Sequence, residues 1–144
     1  MLFRNIMVPY DGSPFSKHAF KIALNMAKKY NSKLTVVTCI GKYYQGFWIY
    51  DNRLADLDFK RQYKGAKEEH KKLADIASKS NIEINSTLLQ GAKIAEVLAK
   101  FAKSEKIDLI VMGSCGRTGL TKALLGSVAS GILHLVRCPV LIVK

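Results

Sequence analysis

Short apolar runs punctuate the chain, and between them apolar residues recur at helical spacing. Residues 3–9 place Ile6, Met7 and Val8 in succession and end at a proline, the pattern of a strand buried on both faces. Asp11-Gly12-Ser13-Pro14 is turn chemistry with a helix start in it, Ser13 as N-cap and Pro14 in the first turn. Ala19, Ile22, Ala23, Met26, Ala27 and Tyr30 then follow a helical stripe that Asn31 closes. Residues 34–40 (LTVVTCI) are rich in β-branched side chains and predict a second buried strand. A helix over 56–80 follows, with Tyr63, Ala66, His70, Leu73 and Ala77 as its apolar stripe. Strands are predicted at 82–89, 108–112 and 140–143, and helices on the stripe Ile94, Val97, Leu98, Phe101, Ala102 and over 127–136.

Alternation of strand and helix, with continuous rather than alternating apolar strands, predicts a parallel sheet covered by helices on both faces. With right-handed crossovers this is a doubly wound α/β fold of five parallel strands. No linker, repeat or low-complexity tract divides residues 1–144, so a single domain is expected. Ligands of such folds sit at the carboxyl ends of the strands, near the point where strand order reverses. Pro9-Tyr10-Asp11 follows the first strand, Cys39-Ile40 ends the second and Gly113 follows the fourth, so all three converge on that edge.

The bulk properties narrow the functions. Nearly half the residues are apolar, a globular balance over 144 positions. No apolar run approaches the roughly 20 residues that span a bilayer, and the N-terminus lacks a signal-peptide block, so a cytoplasmic location with no membrane partner is expected. Cys39, Cys115 and Cys138 form neither a CxxC pair nor a disulfide framework, and Cys115 is the thiol placed for reactivity. The net charge of +12 would attract polyanions. The lysines are dispersed, however, and no RRM aromatic core or zinc finger is present, so a solvated basic surface is favoured over a nucleic-acid face.

Residues 113–127 (GSCGRTGLTKALLGS) concentrate Gly113, Gly116, Gly119 and Gly126. Glycine after a buried strand lets backbone N–H groups approach an anion, and the closing Gly-Ser opens a helix whose N-terminus favours phosphate. A two-part phosphate cradle is therefore predicted, with Ser127 and Ser130 as hydroxyl donors and Arg117 or Lys122 as balancing charge. A flexible turn without a ligand is the alternative. A GxxxxGK[ST] loop, GxGxxG after the first strand and a GxSxG elbow are all absent.

The spacing Gly113-x2-Gly116-x9-Gly126-Ser127 resembles the nucleotide-binding signature G-x2-G-x9-G-[ST] of universal stress proteins. IMVPYDGS, LTVVTCI, LLGSVAS and the tail CPVLIVK extend that resemblance along the whole chain. It implies a five-stranded doubly wound fold of the adenine nucleotide alpha hydrolase type, and ATP as ligand, with or without Mg or Mn. It would set Pro9 and Asp11 beside the nucleoside, Asp11 near the ribose or a phosphate-bound cation. Cys39 and Met112 would border the adenine. Gly113, Gly116, Gly126, Ser127 and Val128 would hold the phosphates, with Arg117 nearby. Cys39 departs from the aliphatic residue expected there, and Cys115 stands where many relatives carry histidine. The resemblance also implies a homodimer through residues 140–144, with a stress-response role of ATP binding and slow or no hydrolysis. No catalytic residue is assigned. A polyanion-binding protein with a vestigial nucleotide site is the alternative.

Other residues carry weaker expectations. Asp11 suits local bonding in a helix-start turn as well as a site role. His18, His70 and His134 lie too far apart for a metal cluster, and His70 is expected at the core edge. Tyr43, Tyr44, Phe47, Trp48 and Tyr50 are expected to cover the sheet edge or an interface, with a lid as the sharper reading.

Overall fold

The computed structural model describes residues 3–41, 52–116 and 125–144. The aromatic positions 43–50, together with Arg117, Gly119 and Lys122, lie outside the described residues. Among the described residues nine elements alternate: β1 (Asn5–Pro9), α1 (Pro14–Tyr30), β2 (Lys33–Gly41), α2 (Asn52–Ser78), β3 (Ile84–Gly91), α3 (Ile94–Ser104), β4 (Leu109–Gly113), α4 (Ser127–Leu135) and β5 (Val140–Val143). The strands form one parallel sheet in the order β3-β2-β1-β4-β5, the predicted doubly wound α/β fold.

Period-two alternation splits the core into two layers. Ile6 and Val8 of β1 face α1 and α2, packing with Phe20, Ala23, Leu73 and Ala77. Met7, between them, faces the other way, with Val37, Leu98, Ile110, Ala129 and Ile132 beneath α3 and α4. Ile6, Met7 and Val8 are all fully buried, which is why β1 reads as a continuous apolar run.

The caps of α1 follow from its sequence. The Ser13 side chain accepts from the Ser16 N–H, Pro14 occupies the first turn, and Asn31 ends the helix in the left-handed conformation at φ 55°. At the opposite end of the sheet, Asp108 accepts from the backbone N–H groups of Arg4 and Asn5, clipping the start of β1 to β4.

Several element bounds differ from expectation. β3 and β4 run on to Gly91 and Gly113, because ladder pairing with Gly41 and Val143 continues past the last large apolar side chain. On α2, Tyr63 is 40% exposed while His70, Leu73 and Ala77 are buried, so the apolar stripe touches the sheet only in the helix's C-terminal half.

Candidate functional site

Strand order reverses between β1 and β4, and a cavity of about 490 Å³ opens there at the carboxyl ends of the strands. That volume is in the range of small-molecule sites, about 300–1,000 Å³. β1 delivers Pro9, Tyr10 and Asp11, β2 delivers Val37 and Cys39, and β4 with the following loop delivers residues 112–116. The start of α4 closes the wall with Gly126, Ser127, Val128 and Ala129. Nine of the sequence-predicted residues thus line one cavity: Pro9, Asp11, Cys39, Met112, Gly113, Gly116, Gly126, Ser127 and Val128. Arg117 lies outside the described residues. Ser130 is not among the lining residues; its backbone N–H donates to the Gly126 carbonyl inside α4.

The cavity has two chemical ends. Val37, Ile94, Leu98 and Met112 form an apolar wall continuous with the core under α3 and α4. Asp11, residues 114–116, Gly126 and Ser127 form a polar end. Among the described lining residues Asp11 is the only carboxylate. Its Oδ1 accepts from the Ser13 N–H at 2.9 Å, so the carboxylate also builds the turn that starts α1.

The helix ends differ in a way that bears on ligands. α1 begins under the Ser13 side-chain cap, whereas Gly126 gives the first N–H groups of α4 no side-chain partner. The residues of this helix start, Gly126 to Ala129, line the cavity, an arrangement suited to an oxyanion. The Gly126 N–H donates to the Ser114 carbonyl at 2.7 Å, and the Ser114 N–H donates to Val143 at 2.8 Å. The loop after β4 is thereby tied both to α4 and to β5.

The glycines are required for closeness rather than for unusual dihedral angles. Among the described glycines only Gly12 has a positive φ, 82°. A Cβ on Gly113 would sit 2.6 Å from the Phe15 Cβ and 2.9 Å from the Phe15 carbonyl carbon. Gly113 therefore lets α1 press onto the end of β4. A Cβ on Gly116 would meet Asp11 Oδ2 at 2.8 Å, and one on Gly126 would meet the Ser114 carbonyl at 3.1 Å.

Sequence reasoning missed one polar network behind the cavity wall. The Thr38 hydroxyl donates to the Tyr10 carbonyl at 2.6 Å, so it must accept from His70 Nε2 at 2.7 Å. The Nδ1 of His70 is left to accept from the Ser86 hydroxyl. His70 is only 3% exposed, and burial lowers its pKa from 6.5 to about 4, against a smaller opposing effect of Glu69. This neutral ring ties α2 to β2, β3 and the cavity end of β1. Its one signal in the sequence is a polar residue on an apolar stripe.

Cys39 and Cys115 both line the cavity and are half-buried; burial raises the Cys39 thiol pKa above its ordinary value. Among the described residues no three His, Cys, Asp or Glu side chains cluster to hold a metal, and no helix is long and apolar enough to cross a membrane.

Fold and cavity together define a doubly wound α/β protein with an oxyanion-suited cleft at its switch point. The family model of universal stress proteins matches residues 2–144, and the chain belongs to that family. A universal stress protein of Methanocaldococcus jannaschii is 34% identical, covering 99% of this chain and 83% of the relative. A universal stress protein from Lactobacillus plantarum has the same fold, with a TM-score of 0.89 at 22% identity over 100% of this chain and 99% of that one. Another, solved in complex with cAMP, is 25% identical with a TM-score of 0.74 over 100% and 99% of the two chains. A third, from Archaeoglobus fulgidus in complex with dAMP, shares the fold at 21% identity and a TM-score of 0.71 over the full length of both.

Proposed function

We propose that the cavity holds ATP and that occupancy, with slow or no hydrolysis, is the output of a regulatory stress-response protein. The observation that carries this reading is the convergence of the β1 end, the loop after β4 and the uncapped start of α4 on one cavity. In this reading the apolar wall takes the adenine, with Cys39 and Met112 at its border. The α4 N–H groups and the Ser127 hydroxyl take phosphate oxygens. Relatives solved with cAMP and dAMP support an adenine nucleotide as the ligand class. A Mg or Mn ion would arrive with the phosphates, within reach of Asp11.

Slow turnover follows from the chemistry of the wall. A hydrolytic site positions water with a dedicated side chain. The one described lining carboxylate is engaged by the Ser13 N–H and, beside a metal ion, is a poor base. Mass spectrometry of natively purified protein tests the ligand: co-purified ATP is expected, and turnover above about 1 s⁻¹ would contradict the regulatory reading.

The same reading includes a homodimer through residues 140–144. β5 is an edge strand, Leu141 is 39% exposed, and Leu133 and Leu135 of α4 are also exposed.

A further inference from the structure

Among the described residues β3 is the other edge of the sheet, and its own sequence carries none of the side chains that blunt an edge. Among the described residues no strand neighbours one side of Ile84–Gly91, and its sequence, INSTLLQG, contains neither a proline nor a charge. A row of lysines stands beside it. Lys60, Lys64, Lys67 and Lys71 recur at helical spacing on α2, so they share one face, and all four are exposed. Among the described residues the ion pairs are Lys72–Glu69 and Lys93–Glu96, and none of the four lysines joins one.

Hydrogen bonds of neighbouring residues fix the side of α2 that carries the row. Glu69 accepts from the Tyr10 hydroxyl, on the β1 side. His70 bonds Thr38 of β2 and Ser86 of β3, facing the sheet. Each residue of a helix advances the side chain by about 100°. Passing from Glu69 through His70 to Lys71 therefore sweeps from the β1 side, across the sheet, to the β3 side. Lys71 overlooks the open edge, and Lys67, Lys64 and Lys60 extend the row. At about 1.5 Å per residue the row spans about 16 Å, close to the length of β3 from Ser86 to Gly91 at about 3.3 Å per residue.

We propose that β3 and this lysine row dock an extended acidic segment of a partner protein, paired as an added strand. The open N–H and C=O groups of β3 fix the backbone of the segment. Side chains at every second position fall on the α2 face, where the lysines select carboxylates. The net charge of +12 speeds the encounter with an acidic partner. A second copy of this chain does not fit: two β3 edges paired about a twofold axis bring two lysine rows together, and β3 supplies no acid to meet them. A nucleic acid would use the lysines and leave the strand edge unpaired.

The test is an anisotropy titration of the full chain with a labelled peptide of alternating Glu and Thr, as long as β3. Triple replacement Lys64→Ala, Lys67→Ala, Lys71→Ala is expected to weaken binding about tenfold. Methylating the backbone nitrogens along one edge of the peptide is expected to do the same, and amide resonances of 84–91 are expected to shift. The three lysines are exposed, and circular dichroism checks that the variant folds. The proposal is overturned by absence of peptide binding, or by affinity indifferent to N-methylation or to the lysines. It is equally overturned if an oligonucleotide of matched charge binds more tightly through the same lysines.

Discussion

Gly113 ends β4 and Gly116 lies three residues on in the loop that follows, and their neighbours give them different tasks. At Gly113 an added Cβ meets the backbone of Phe15, which cannot yield without moving α1 off the sheet. Gly113→Ala is therefore expected to cost about 1–3 kcal/mol in urea unfolding, the ordinary range for overpacking a tight core. At Gly116 the obstruction is the carboxylate tip of Asp11, a flexible group, so Gly116→Ala should leave stability nearly unchanged and disturb the cavity instead. Equal stability losses for the two variants would contradict this assignment.

His70 offers a second test at the same scale. Its pKa is about 4 in the folded chain and near 6.5 unfolded, so the unfolded state binds more protons between those values. Stability from this group is fully present above pH 6.5 and is lost as pH falls through 4, by roughly 3 kcal/mol in total. Denaturant unfolding from pH 7 to pH 4 should show that decline, and His70→Gln should flatten it. An unchanged slope in the variant would assign the loss to other groups.

Among the elements, the two edge strands are proposed to take different partners. β5 is short and its Leu141 is exposed, as are Leu133 and Leu135 of α4, apolar groups that a second copy could cover. Leu141→Lys is expected to convert a dimer to a monomer in sedimentation velocity; a wild-type chain that sediments as a monomer would remove the β5 interface. β3 is longer, carries polar Asn85 and Gln90, and lies beside lysines.

Elements buried on both faces were the most legible from sequence. β1, β2 and β4 announce themselves as apolar runs because helices cover both sides. α1 was legible to the residue at both ends, since Ser13 and Asn31 bond the backbone locally. The end of β3 was not, because ladder pairing with β2, and no local signal, carries it to Gly91. The glycine spacing located the cavity wall while hiding its reason, since contact with Phe15, a hundred residues away in the chain, is invisible to a local reading. The Thr38–His70–Ser86 network joins three elements and was hidden for the same cause.

At the scale of the molecule, the doubly wound order places a cavity where the carboxyl ends of β1 and β4 diverge, and the described residues of the nucleotide reading meet there. Among the described residues the two edge strands, β3 and β5, stand at opposite ends of the sheet, so the proposed ligand, copy and partner would use separate surfaces. The most direct test of the central claim is calorimetric titration of the nucleotide-stripped protein with ATP, for the wild type and for Ser127→Ala. Ser127 is exposed at the first turn of α4, so its replacement removes a donor without opening the core. The account predicts saturable one-site binding by the wild type and about tenfold weaker binding by Ser127→Ala, the loss of one hydrogen bond to a charged ligand. A wild-type protein that gives no heat with ATP and retains no nucleotide on native purification would contradict it.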